Sequence, residues 1–187
     1  MSTTFKPTFR RTEGGDFPKL PDGTYPGVVV LIEPTMIDDY NDPSIQKPGY
    51  KFIFAATDGD TSVIAYKSVS NAIGPKSNLS KYLTAIAGKT AYEEVCDDDE
   101  HLWDLMCNCV GKGALLSLEL ATAKKSGNEY NKLTGVLTLP KGMESSLHPA
   151  RETAQRFREA MQKKAEAEGK EAARFVDDDG VEDDIPF

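Results

Sequence analysis

The sequence predicts a mainly β protein built on a small five-stranded barrel, with a helical segment between the third and fourth strands. Two observations lead to this fold class. β-branched and aromatic residues gather in five short stretches that are separated by turn-forming residues, as in successive strands. Between the third and fourth stretches the apolar residues change to a helical spacing. Closely spaced strands with one helical interruption favour a closed sheet, and a small mixed α/β domain is the alternative with the same element order.

The first three strands are predicted from their composition and from the turns between them. Strand one is "GTYPGVVVLIE", residues 23–33, in which Pro26 suits a strand start or an edge position. Residues 34–49 contain many turn formers and predict a long loop. Strands two and three are predicted at 50–57 and 61–70, and the intervening "DGD" indicates a tight hairpin.

Two helices are predicted after the third strand. Ser77 is a suitable N-cap for the first helix, and Gly88 is a suitable stop. Asp97–Asp99 can cap the second helix, because carboxylates stabilise the first turn. The apolar stripes that these helices bury are Leu79, Tyr82, Leu83 and Ile86 in the first and Leu102, Leu105, Met106 and Val110 in the second.

The last two strands are predicted at 114–123 and 132–140, joined by a basic loop over 124–131. Three strands, a helical segment and two further strands is the element order of the five-stranded OB-fold barrel. In that fold the surface of strands two and three, together with the loops after strands one and four, binds oligonucleotides.

Four regions follow from this reading. Residues 1–19 are expected to be a flexible N-terminal arm, and residues 20–140 are expected to form the OB-fold domain. Residues 141–176 are expected to be a helical linker extension that frays towards its end. Residues 177–187, "DDDGVEDDIPF", are expected to be a disordered acidic tail that docks partners.

Charge is unevenly distributed along the chain, whose net charge is −8. Residues 175–187 hold six acids and no base, and residues 93–104 hold seven acids and no Lys or Arg. The rest of the chain has 22 bases and 17 acids, so a basic patch for an anionic partner is compatible with the acidic total.

No apolar run has the length of a membrane span, no secretory signal is seen, and three clustered cysteines suit a reducing compartment. These features predict a cytoplasmic protein.

Catalytic and metal chemistry find little support in the sequence. The two histidines are not near a nucleophile motif, and the chain has no phosphate-binding glycine loop. The acids of 93–100 are better explained as a solvated helix start than as a convergent cation site of a nuclease. The nominal zinc ligands Cys96, His101, Cys107 and Cys109 match no common zinc pattern, and the cysteines are expected to be small apolar residues. We therefore expect neither an enzyme nor a cofactor.

The predicted strands carry aromatic residues interleaved with lysines, which is a pattern that suits single-stranded nucleic acid. Alternation places Lys51 and Lys67 outside if the lysines face solvent, and it places Tyr130 and Lys132 outside if the leucines face the core. Each aromatic residue taken alone is also explained as a core residue. The candidate DNA-binding residues are Tyr50, Lys51, Phe54, Tyr66, Lys67, Lys124, Lys125, Tyr130 and Lys132.

The tail ends in "EDDIPF", which resembles the C-terminal motif of bacterial single-stranded DNA-binding proteins. The stretches "LPDGTYPG", "GPKSNLSKYLTAIAG" and "GNEYNKLTGVL" resemble phage-encoded single-strand binders with an OB-fold. The resemblance implies that the protein coats single strands during DNA replication, recombination or repair. It also implies that enzymes of these processes are recruited by Asp183, Asp184, Ile185, Pro186 and Phe187.

The chain departs from the bacterial family in two places. It has a long helical insertion with an acid block, and a predicted helix replaces the flexible linker that precedes the tail in the bacterial proteins. These departures leave the path of the DNA and the oligomeric state open. The weak charge of the barrel also leaves an alternative from another class, an interaction adaptor whose barrel binds protein.

Overall fold

The structure, a computed structural model, describes residues 18–39, 42–123 and 127–176, with side chains described as far as residue 166. The five strands are β1 (Gly23–Asp38), β2 (Gln46–Asp58), β3 (Thr61–Ser70), β4 (Gly113–Thr122) and β5 (Glu129–Leu137). The helices are α1 (Asn78–Ala87), α2 (Lys89–Glu93), α3 (Asp99–Asn108) and α4 (His148–Val176), and a 3₁₀ turn at Glu144–Leu147 leads into α4. The predicted mainly β class and the helical segment between strands three and four are confirmed.

The strands form one antiparallel sheet in the order β3-β2-β1-β4-β5. The two edge strands, β3 and β5, approach each other to within 8 Å between Cα atoms. Within the described part of the chain no hydrogen-bonded ladder joins them, so the sheet is open. The five strands are therefore established, whereas closure into a barrel is not.

The hairpin of β1 and β2 is longer than the sequence predicts. Residues 34–38 continue β1 and pair with 46–50, so the predicted loop over 34–49 is wrong for most of its length. Prolines are tolerated here because this part of β1 pairs on one side only: β4 pairs with β1 no further than Val28. The hairpin consequently projects beyond the rest of the sheet.

The main core lies on the inner face of the sheet and is closed by α1. Phe52 and Phe54 of β2 are fully buried, and the rings of Phe52 and Tyr82 pack nearly perpendicular to each other at a centroid distance of 5.5 Å. The predicted caps of α1 are confirmed: Ser77 Oγ accepts the Ser80 N–H at 3.1 Å, and the helix ends at Gly88, which has a positive φ of 97°. The short helix α2 is not predicted by the sequence.

A second core lies on the outer face of the sheet, under α4. Val28, Val30, Ile53 and Ala55 point outward and are covered by Leu147, Ala150 and Ala154 of the helical segment. The first turns of the predicted linker extension are thus part of the folded unit, because their small side chains let the helix approach the sheet closely. After Phe157 every described side chain of α4 is exposed, so the helix leaves the sheet.

Candidate nucleic-acid interface

An exposed aromatic ring and a lysine meet on the outer face of β2 and β3. Tyr66 lies opposite Ile53, and Lys51 lies opposite Ser68, so both side chains point to the same face as diagonal neighbours. The Lys51 ammonium lies 4.9 Å from the centre of the Tyr66 ring, within the range of a cation–π interaction. The Tyr66 side chain is 59% exposed, so α4 leaves it accessible. This pair can offer a ring to a base and a positive charge to a phosphate.

Lys67 does not lie on that face. It is the cross-strand partner of Phe52. It also lies on the same face of β3 as Ala65 and Val69, which are buried in the main core. The predicted common outward direction of Lys51 and Lys67 is therefore wrong. Lys67 is half-buried, as expected where a long side chain runs along the core and carries its ammonium to solvent.

Phe54 and Tyr50 differ in how much of each ring a ligand could reach. Phe54 is fully buried beside Phe52 and Tyr82, so it presents no surface to a base and its place among the stacking candidates is wrong for this structure. Tyr50 is half-buried and stacks on Trp103 of α3, with ring centroids 5.9 Å apart and an interplanar angle of 30°. Trp103 remains 37% exposed.

The residues predicted on strand five point outward as expected. Tyr130 is 43% exposed and Lys132 is exposed, whereas Leu133 is buried. The preceding loop is closed at its base, where the Ala123 N–H donates to the Asn128 carbonyl at 2.8 Å. Lys124 and Lys125, predicted at this loop, lie outside the described residues, as do the docking residues of the tail, Asp183, Asp184, Ile185, Pro186 and Phe187.

Carboxylates lie opposite Lys51 and Lys132 in the sheet. Glu33 of β1 is the cross-strand partner of Lys51, and Glu119 of β4 is the partner of Lys132. Opposite charges at directly facing positions attract each other and reduce the local positive potential. The outer face is therefore a mixed surface with single lysines beside aromatic rings, and not a continuous basic stripe.

Asp98 of the acid block and Cys109 have structural roles, whereas Cys107 is exposed. Asp98 is the N-cap of α3: its Oδ1 accepts the His101 N–H at 3.0 Å, and the hydrogen bonds from His101 hold the pKa of this carboxyl below its usual value. Cys109 is fully buried in the core, and burial raises the pKa of its thiol to about 11. Among the described residues no group of three or more His, Cys, Asp or Glu side chains could hold a metal ion.

Two residues that position the surface are not identified from the sequence. Trp103 is the only tryptophan in the chain, and its place just beside the predicted apolar stripe of α3 is the signal that could have found it. Asn131 is buried, accepts the Leu20 N–H at 2.9 Å and donates to the Leu20 carbonyl at 2.6 Å. A polar residue at a buried position of strand five is the corresponding signal, since it needs such partners.

No protein-family model matches the sequence, and no curated protein matches it either. Of the helices in the described ranges, none combines the length and apolar character that crossing a membrane requires.

Proposed function

We propose that the protein binds single-stranded DNA without sequence preference. The observation that carries the proposal is the contact between Lys51 and the exposed ring of Tyr66 on the outer face of two neighbouring strands. Base stacking on a ring and a charge contact to the adjacent phosphate are the two interactions that single-strand binders combine. Tyr130 and Lys132 offer the same two groups on β5.

The proposal includes an OB-fold barrel. It is supported by the strand order, in which β1 is central between β2 and β4, and by the close approach of the edge strands β3 and β5. Because α4 covers Ile53 and Ala55, DNA would follow the uncovered part of the outer face, past Lys51 and Tyr66 and towards the loop of Lys124 and Lys125. Phe54 has no role in this path.

In the cell the protein would coat and protect single strands during DNA replication, recombination or repair, in a bacterium or a phage-infected host. The sequence "EDDIPF" supports a second role, the recruitment of enzymes of these processes through Asp183, Asp184, Ile185, Pro186 and Phe187. Acidic residues followed by an apolar terminus suit a pocket with a basic rim and an apolar floor. No enzymatic step is part of the proposal.

The test is a fluorescence-anisotropy titration with a labelled oligo-dT at several salt concentrations. Binding should weaken steeply as salt rises, because phosphate contacts release counterions. Lys51→Ala and Lys132→Ala should each lower the slope of log affinity against log salt by up to about 0.7 per lost contact. Lys81→Ala is the matched control, since Lys81 is exposed on α1, away from the strands.

The second candidate is a protein-interaction adaptor. It is favoured by Glu33 and Glu119, which lie opposite Lys51 and Lys132 and reduce the attraction of these lysines for phosphates. An adaptor would show no salt-dependent binding to oligo-dT at any concentration tested. That outcome would refute the single-strand proposal and leave the adaptor.

A further inference from the structure

The β1–β2 hairpin and Asn71, which follows β3, form an apolar groove that the proposed DNA contacts do not use. Its walls include Pro34, Met36, Pro48 and Tyr50, and its volume is about 320 Å³. Met36 is 55% exposed although it is a large apolar side chain. Tyr50 joins this groove to the exposed ring of Trp103 through their stacking contact. Contiguous exposed apolar surface of this kind marks a binding site for an apolar partner.

Acidic side chains lie around Trp103 on α3. Asp99 and Glu100 lie four and three residues before Trp103, so on a helix they are its neighbours on the same side, and both are exposed. Asp104 follows Trp103 and is exposed as well. Such a rim repels phosphates and attracts cations, so the groove fits a segment that combines apolar anchors with positive charge.

The chain itself contains a segment with this chemistry. "FKPTFRR", residues 5–11, has two phenylalanines, three bases and no acid, and it lies outside the described residues. We infer that residues 5–11 of one copy bind the groove of a second copy, with Phe5 and Phe9 as apolar anchors and the bases facing the rim of α3. This inference goes beyond the proposed function and does not depend on it.

The position of Pro18 favours a second copy over the same chain. Pro18 lies beside Asp60 and Thr61, at the turn between β2 and β3. Tyr50 is at the other end of β2, about 26 Å away at about 3.3 Å per residue. The chain from Phe9 to Pro18 spans at most about 30 Å when fully extended, so reaching its own groove would require almost complete extension around the sheet. A neighbouring copy imposes no such condition, and repetition of the contact would produce a head-to-tail chain of molecules.

Two full-length variants test whether residues 5–11 of one copy bind the groove of another. The fluorescence of Trp103 reports the binding. Trp103→Ala keeps the arm but loses the groove, whereas Phe5→Ser/Phe9→Ser keeps the groove but loses the arm. Each variant alone should sediment as a monomer, and the wild type should associate as its concentration rises. A mixture of the two should form a heterodimer that grows no further, because it contains one intact arm and one intact groove. Only the copy with the groove fluoresces from tryptophan, so its emission should shift on mixing.

Raising the salt concentration should weaken this heterodimer, since exposed charges are screened. Met161→Ala, which removes an exposed large apolar side chain outside both the groove and the proposed DNA contacts, is the matched control and should leave association unchanged. Circular dichroism checks that the variants are folded. A mixture with neither association nor an emission shift would overturn the inference. A wild type that stays monomeric while Phe5→Ser/Phe9→Ser alone shifts the Trp103 emission would also overturn it, because the occupant would then be the same chain. Neither result involves DNA, so the proposed function is judged separately.

Discussion

Two aromatic residues on the same sheet, Tyr66 and Phe54, should respond to truncation in opposite ways. Tyr66 is 59% exposed and Phe54 is 0% exposed, although both were candidates for base stacking on sequence grounds. Tyr66→Ala should weaken oligo-dT binding by about 1–3 kcal/mol, the range for a stacked base, which is about 5- to 150-fold in Kd. Its effect on the free energy of unfolding should stay below about 1 kcal/mol, because most of the side chain is exposed and its contact with Lys51 lies at the surface.

Phe54→Ala should instead act on stability. The ring packs against Phe52 at 6.1 Å and Tyr82 at 6.5 Å between centroids, and its removal leaves a cavity in the main core. A loss of about 3–5 kcal/mol in the free energy of unfolding is expected for a buried Phe. Urea titration measures the stability, and anisotropy at low denaturant measures binding of the fraction that remains folded, which should be normal.

Tyr66→Phe is the matched control, because it keeps the ring and should keep the affinity. If Tyr66→Ala is as stable as the wild type and binds oligo-dT equally well, the outer face of β2 and β3 is not the binding surface. If Phe54→Ala is as stable as the wild type, the assignment of Phe54 to the core is wrong. These two results refute different parts of the reasoning.

Three further predictions concern the anchor of the first described residues, the helix on the outer face, and the tail. Asn131→Ala should lower the free energy of unfolding by about 1–3 kcal/mol for each group of Leu20 left unpaired, and a wild-type curve in urea titration would argue against the paired hydrogen bonds. Leu147→Ala should cost about 2–5 kcal/mol, and a wild-type unfolding curve would show that the start of α4 is not part of the folded unit. Deleting Phe187 should abolish enzyme recruitment in a pull-down and leave oligo-dT affinity nearly unchanged. Deleting 177–187 should also tighten DNA binding at low salt, and unchanged or weaker binding would rule out competition by the tail.

The sequence predicts correctly those elements whose signals are local. Strand three is predicted at 61–70 and found at Thr61–Ser70, because a tight turn before it fixes its start. Ser77 and Gly88 bound α1 as predicted, since a cap depends on residues within one turn. The loop predicted at 34–49 fails for the opposite reason. Whether a proline is acceptable in a strand depends on which neighbours that strand has, and this is a property of the sheet.

The candidate site is only partly predictable for the same reason. Alternation gives the outward direction of Tyr130 and Lys132 correctly, because Leu133 fixes which side of strand five is buried. Strand three carries apolar residues at both alternating sets of positions near Lys67, so alternation does not decide which side is buried. A side chain as long as that of Lys67 can also be accommodated on either face. The stacking of Tyr50 on Trp103 joins two elements that are far apart in the sequence, so no local pattern indicates it.

The exposed part of α4 determines how far the acidic tail can reach. From residue 158 to Val176 the helix extends about 28 Å at about 1.5 Å per residue, beyond its last packed turn. The eleven-residue stretch 177–187 spans at most about 36 Å when fully extended. Folding back onto its own sheet would therefore use most of that length, and only the last residues would arrive. In the proposed single-strand binder, this length limit makes competition for DNA by the tail of a neighbouring molecule on the same strand easier than competition by the tail of the same chain.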